Sequence, residues 1–175
     1  MIKLQVSEIK EKASQLKAGD EVLLTGTIYT ARDAAHKRLM AIIKEHGQLP
    51  FPIDASVIYY AGPTPPKHSL AVGSCGPTTS SRMDVYAPKL YDMGMYATIG
   101  KGGRNIDVKN SIIRNGAVYF CALGGAGALA SKAIKKCDVI AFEELGCESV
   151  KKLEIEVFPL FVGIDCQGNS IFSEV

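Results

Sequence analysis

Apolar positions along the chain switch between spacing of about two and spacing of three to four, and each switch predicts an element. Residues 7–16 carry Ile9, Ala13 and Leu16 on one helical face, with Gly19-Asp20 as the stop and turn. Residues 21–29 are rich in Val, Leu, Ile and Thr and predict a strand. Thr30-Ala31-Arg32-Asp33 has the form of a helix-start box, and Ala35, Leu39, Ile42 and Ile43 give the following helix its apolar stripe. Residues 48–54 hold two prolines and read as a loop, and 57–60 as a short strand. Gly62-Pro63-Thr64-Pro65-Pro66 excludes regular structure, because proline fixes φ and removes a donor. Residues 69–74 read as a further strand, followed by one helix with Met83, Tyr86, Leu90 and Met93 on a face.

Beyond that point the pattern predicts a strand at 96–99, a glycine turn at 100–103, a helix at 106–114 and a strand at 117–122. A turn at 124–127, a helix at 129–136 and a strand at 138–142 follow. From Leu153 to the end it reads strand, Pro159, strand, a Gln167-Gly168-Asn169 turn and a last strand. Alternation in the middle and strands at the end predict an α/β domain with a mixed sheet, taken as one domain over residues 1–175.

Composition narrows the function classes. Twenty basic and 18 acidic side chains give a net charge of +2, which supplies no footprint for a nucleic acid or an anionic membrane, so any anion recognition is local. Five cysteines, none spaced C-x-x-C, and three histidines away from ligand spacing argue against a disulfide framework or a zinc knuckle; no metal site is expected. The start has no apolar leader and no run reaches membrane-spanning length, so the expected location is a reducing cytoplasm.

Three places follow a strand with a small or glycine-rich turn and a cation. Arg32 lies at a helix start with His36 four residues on; a bound carboxylate would relieve the unfavourable charge there, and so would a surface pair with Asp33. Thr78-Thr79-Ser80-Ser81 offers more hydroxyls than one cap uses, with Arg82 able to grip a carboxylate at two points or to pair with Asp84. Lys101 sits in Gly100-Lys101-Gly102-Gly103, which lacks P-loop spacing and is either an anion cradle or only a tight turn. Cys75 adjoins the hydroxyl turn as a candidate thiol, whereas the other cysteines read as core. If the strand ends are neighbours, Arg32, Arg82 and Lys101 suit a small dicarboxylate, but no electrophile accompanies them.

At these residues the chain resembles a known family. Leu24-Thr25-Gly26-Thr27-Ile28-Tyr29-Thr30-Ala31-Arg32-Asp33-Ala34-Ala35-His36-Lys37-Arg38, Tyr60-Ala61-Gly62-Pro63, Gly76-Pro77-Thr78-Thr79-Ser80-Ser81-Arg82-Met83-Asp84 and Gly100-Lys101-Gly102-Gly103-Arg104 resemble the β subunit of class I, iron–sulfur fumarate hydratases. The same region is the C-terminal domain where that enzyme is a single chain. The L-tartrate dehydratase β subunit shares Gly-Pro-Thr-Thr-Ser and Gly-Lys-Gly, but its pattern after the first strand usually differs.

The resemblance implies a swivelling β/β/α fold and reversible hydration of fumarate to L-malate. It also implies a hetero-oligomer with an α subunit that carries a [4Fe–4S] cluster on three cysteines. By position, it implies that Arg32, Arg82 and Lys101 hold substrate carboxylates and that Thr78 is the base at C3, with Asp33 and His36 supporting Arg32. Many fumarases have Gly-Asn where this chain has Gly102-Gly103. The alternatives are a tartrate dehydratase β subunit and a non-catalytic dicarboxylate-binding module.

Overall fold

A computed structural model describes residues 1–123 and 127–173. Its seven strands are β1 (Ile2–Gln5), β2 (Glu21–Thr30), β3 (Val57–Tyr59), β4 (Ala97–Gly100), β5 (Val118–Cys121), β6 (Ile134–Ala141) and β7 (Val150–Ile164). The helices are α1 (Ile9–Lys12), α2 (Asp33–Lys44), α3 (Ala87–Asp92), α4 (Ile106–Asn115) and α5 (Gly127–Ala133). The sheet is mixed, as expected: β1 to β5 run parallel to their neighbours, and β7 is antiparallel to β2, β5 and β6. Because β7 also pairs with β2, the path β2-β3-β4-β5-β7 closes on itself.

Side-chain alternation along β3, β4 and β5 divides two cores. Val57, Tyr59, Ala97, Ile99, Val118 and Phe120 point inward, onto apolar residues of β1, β2, β6 and β7. Ile58, Tyr60, Tyr119 and Cys121 point outward and meet Leu39 of α2, Leu90 of α3 and Ile112 of α4. Strands buried on both faces need helices to cover one of them, which gives two β layers and one α layer.

Several expected elements come out differently. Residues 69–74 form no strand; the loop closes on Thr64, whose N–H reaches Ser74 O (2.9 Å) and whose hydroxyl takes the Ser74 N–H (2.8 Å), so no strand partner is left for it. The helix after the hydroxyl turn splits into a 3-10 turn at Ser80–Met83 and α3, where Pro88 sits in the first turn, the place a helix tolerates proline. α5 ends at Ala133 and β6 begins at once, rather than a helix running to residue 136. The expected turn at 124–127 lies mostly outside the described residues. The C-terminal strands before residue 165 are one strand of 15 residues. Pro159 is accommodated because β6 pairs only as far as Ile155 and β5 only from Phe161, so at Pro159 just the β2 edge of β7 is paired. The last expected strand is a single bridge, Ile164 to Ser170.

Candidate active site

The register of the parallel strands aligns Thr30, Tyr59 and Ile99. Arg32 therefore leaves the end of β2 level with Lys101 at the end of β4. The hydroxyl turn crosses between them: Ala61 bridges Pro77 and Thr79 bridges Lys101, while Thr78 N–H donates to Tyr60 O (2.7 Å) and Ser80 N–H to Lys101 O (2.9 Å). Gly100 makes this approach possible. A Cβ there would lie 1.9 Å from Ser80 Oγ and 2.9 Å from the Tyr60 ring. Arg82 then reaches back to α2 and donates to Asp33 from Nε (3.2 Å) and Nη2 (2.6 Å). Arg32, Thr78, Arg82 and Lys101 are thus gathered at the carboxyl ends of adjacent parallel strands, the end at which both open and closed α/β sheets take ligands.

The electrostatics favour an anion. The N-terminus of α2 has no side-chain cap; Thr30 of the expected box does not cap because its hydroxyl takes the Lys151 N–H (3.1 Å). Free N–H groups and the helix dipole add to the three cations. Arg32 Nε is buried and finds no acceptor among the described residues. Its nearest carboxylate, on Glu148, is 3.9 Å away, beyond hydrogen-bonding distance. Lys101 is exposed and Thr78 half-buried.

Asp33 supports Arg82 rather than Arg32 alone, and the alternative Arg82–Asp84 pair does not form, because Asp84 is committed to Arg104. Burial is the largest single influence on Asp33 and raises its pKa, but the Arg82 hydrogen bond, its own backbone N–H and the charges of Arg82 and Arg32 together outweigh it and hold the carboxyl below the ordinary range. His36 is a buried neutral ring. Its Nδ1 (2.8 Å) and its backbone N–H (2.9 Å) both donate to the Arg32 carbonyl, and it packs on Tyr86 and edge-on to Tyr60. Cys75 is also buried, and desolvation pushes its thiol up to about 12, so it is no nucleophile at neutral pH.

Burial, followed by the nearby Arg104 charge and against the Arg32 carbonyl, lowers the His36 pKa from 6.5 to about 4. The unfolded ring takes a proton near pH 6.5 while the folded one does not, so stability is complete above that pH and falls as pH drops toward 4. By pH 5 the loss from this group is expected to be about 2 kcal/mol. An NMR titration should show the His36 ring unchanged down to about pH 5; a midpoint near 6.5 would contradict the placement.

Sequence reasoning missed the residues beneath the site. Arg104, inside a quoted motif but given no role, has a fully buried side chain. It donates to Asp84 (2.6 Å), Thr98 Oγ1 (3.0 Å) and Tyr60 OH (3.1 Å), and lies over the Tyr60 and Tyr119 rings. Burial opposes its charge, but Tyr60, Tyr91, Asp84 and Tyr119 together raise its pKa beyond the ordinary arginine value. The Tyr119 hydroxyl donates to Gly102 O and accepts from Ser80 Oγ (both 2.8 Å), tying the hydroxyl turn to the Lys101 loop.

The family described as "Fumarase C-terminus" matches residues 1–175. The chain belongs to the fumarase C-terminal family. Relatives in this hydro-lyase family include fumarate hydratase 2 of Leishmania major, 37% identical over 175 residues, covering 99% of this chain and 31% of that protein. The anaerobic class I fumarate hydratase of Escherichia coli K12 is 37% identical over 97% of this chain and 31% of its own length. The putative L(+)-tartrate dehydratase subunit beta of Methanocaldococcus jannaschii is 42% identical over 95% of this chain and 88% of its own. The chain thus spans about a third of the length of these fumarate hydratases but most of the tartrate dehydratase subunit. Among the described residues, no helix is long and apolar enough to cross a membrane.

Proposed function

We propose that this chain is the dicarboxylate-binding and proton-transfer subunit of a cytoplasmic hydro-lyase that interconverts fumarate and L-malate. The observation that carries the reading is the buried, acceptorless Nε of Arg32 beside Arg82 and Lys101. A buried charged donor with no hydrogen-bond acceptor, its nearest carboxylate 3.9 Å away, calls for an anionic acceptor. Two arginines and a lysine match the two carboxylates of the substrate. In the dehydration direction, Thr78 Oγ1 takes the proton from C3 as the C2 hydroxyl departs. A threonine hydroxyl works as a base only as its alkoxide, which the surrounding positive charge stabilises.

Class I enzymes of this family are iron–sulfur proteins. Among the described residues no three His, Cys, Asp or Glu side chains converge as metal ligands. The residues present do not fit a cluster, which in the proposed enzyme is carried by a partner α subunit.

The test is reconstitution with the cluster-bearing subunit of the same organism, assayed by the ultraviolet absorbance of fumarate. Arg82→Ala and Lys101→Ala should each lower kcat/KM by about 100-fold or more with the fold intact, as loss of a charge-assisted contact implies. Wild-type rates in both variants would end the site assignment. A second reading, tartrate dehydratase, is favoured by the 42% identity over 88% of that subunit. Comparing kcat/KM for malate and tartrate on the same complex separates the two.

A further inference from the structure

Lys151, the second residue of β7, lies directly opposite Thr30, the residue at which β2 ends. It is buried, 7% exposed, and forms no ion pair with a described carboxylate. Its ammonium instead donates to Ser149 Oγ (2.8 Å), Cys147 O (3.0 Å), Gly146 O (3.3 Å) and Ser149 O (3.3 Å), all on one turn. Desolvation by burial is the main cause that lowers its pKa from the ordinary lysine value. Burying an ammonium without a counter-charge is costly, and a hairpin turn does not require it. Leu145 N–H to Phe142 O (2.9 Å) and Ser149 N–H to Gly146 O (3.0 Å) already close the backbone.

The turn does have something to hold. Glu148 places its carboxylate 3.9 Å from Arg32 Nε. On the other side, a Cβ on Gly62 would lie 3.1 Å from the Cys147 carbonyl and 3.0 Å from Arg32 Nη1. The Arg32 guanidinium therefore lies against the Gly62 backbone, with the 146–149 turn as its other wall. From outside, the segment leading into the turn is tied to α2 by the exposed Arg38–Glu144 pair and by Arg38 over the Phe142 ring, contacts worth little in water. From inside, Lys151 donates its four hydrogen bonds to the turn, and the Thr30 hydroxyl adds one long contact to Ser149 O (3.5 Å). At 3.9 Å, Glu148 orients Arg32 through charge and leaves its Nε–H available to another acceptor.

We propose that Lys151 is a positioning residue: by fixing the 146–149 turn it holds Glu148 and the Cys147 carbonyl against Arg32, and so aims the guanidinium at the substrate carboxylate. The inference rests on the proposed dicarboxylate site for its ligand, but not for its geometry.

The experiment uses the reconstituted complex with Lys151→Met, Glu148→Gln and the double variant. Lys151→Met should raise KM about tenfold with kcat within about twofold, because an arginine held in ground state and transition state alike contributes uniform binding. The double variant should be no worse than the poorer single one, since both act along one chain of contacts. Amides 146–149 should exchange with deuterium about tenfold faster in Lys151→Met, with β2 and β4 unchanged. Should Lys151→Met fail to fold, Ser149→Ala removes the 2.8 Å acceptor and should give the same pattern at smaller size. Unchanged KM, additive effects or unaltered exchange at 146–149 would each overturn the proposal. If the wild-type complex shows no turnover, the hydro-lyase reading fails, and the exchange measurement still decides the role of Lys151.

Discussion

Arg104→Met is expected to cost about 3–5 kcal/mol of stability, the loss typical of breaking a buried ion pair by removing one partner. The side chain of Arg104 is 0% exposed and that of Asp84 5% exposed, so neither charge can turn to water. Without the guanidinium, the Asp84 carboxylate keeps, among the described residues, the Asn105 N–H at 2.7 Å. Thr98 loses a donor at the head of a directed chain, in which its hydroxyl donates to Tyr91 OH (2.8 Å) and Tyr91 donates to Val118 O (3.2 Å). Two tyrosine rings lose the cation between them. Asp84→Asn should be destabilising for the mirror reason. The double variant should lose at least about 1 kcal/mol less than the sum of the singles, because each single change leaves a lone charge and the pair leaves none. Urea unfolding of the three variants measures this. A loss under about 1 kcal/mol for Arg104→Met would mean that the charge is not buried as described.

The parts of this protein legible in its sequence were those set by local periodicity. β2, α2, β4, α4 and β5 came out close to their expected limits because each presents a complete apolar face within its own span. β7 did not, since its continuity through Pro159 depends on which edge is paired at that residue, a property of β5 and β6 as much as of β7. The false strand at 69–74 has the same origin: a short apolar run pairs only if a partner edge is free, and Thr64 takes that place.

The site divides along a similar line. Arg32 and Lys101 each follow a strand, so parallel neighbours bring them to one end by topology alone, whereas Thr78 and Arg82 follow no strand and are brought there by the Ala61–Pro77 and Thr79–Lys101 bridges. Their polar partners were not legible. Nothing in Gly102-Gly103-Arg104-Asn105 distinguishes a buried arginine from an exposed one, and Lys151 adjoins Lys152 just ahead of the strand expected from Leu153, where the sequence does not separate a buried lysine from an exposed one. Charge burial is decided by the third dimension.

On the proposed reading, Thr78→Val should lower kcat by about 10²–10⁴-fold with KM within about twofold, the range for removing a general base. Valine keeps the shape of threonine and leaves the backbone N–H that donates to Tyr60 O at 2.7 Å, so the turn should stay in place. The carboxylate grips on Arg32, Arg82 and Lys101 are untouched, which is why binding should survive while turnover does not. Thr78→Ser retains the hydroxyl and should recover activity to within about tenfold of wild type, its cost being the freer rotamer. Exchange of the C3 hydrogen of malate with solvent deuterium should fall in parallel with turnover in Thr78→Val, because the same oxygen would carry that proton. Turnover preserved in Thr78→Val would move the base off this residue, and with the cations still converging there, the chain would be left as the clamp without the proton transfer.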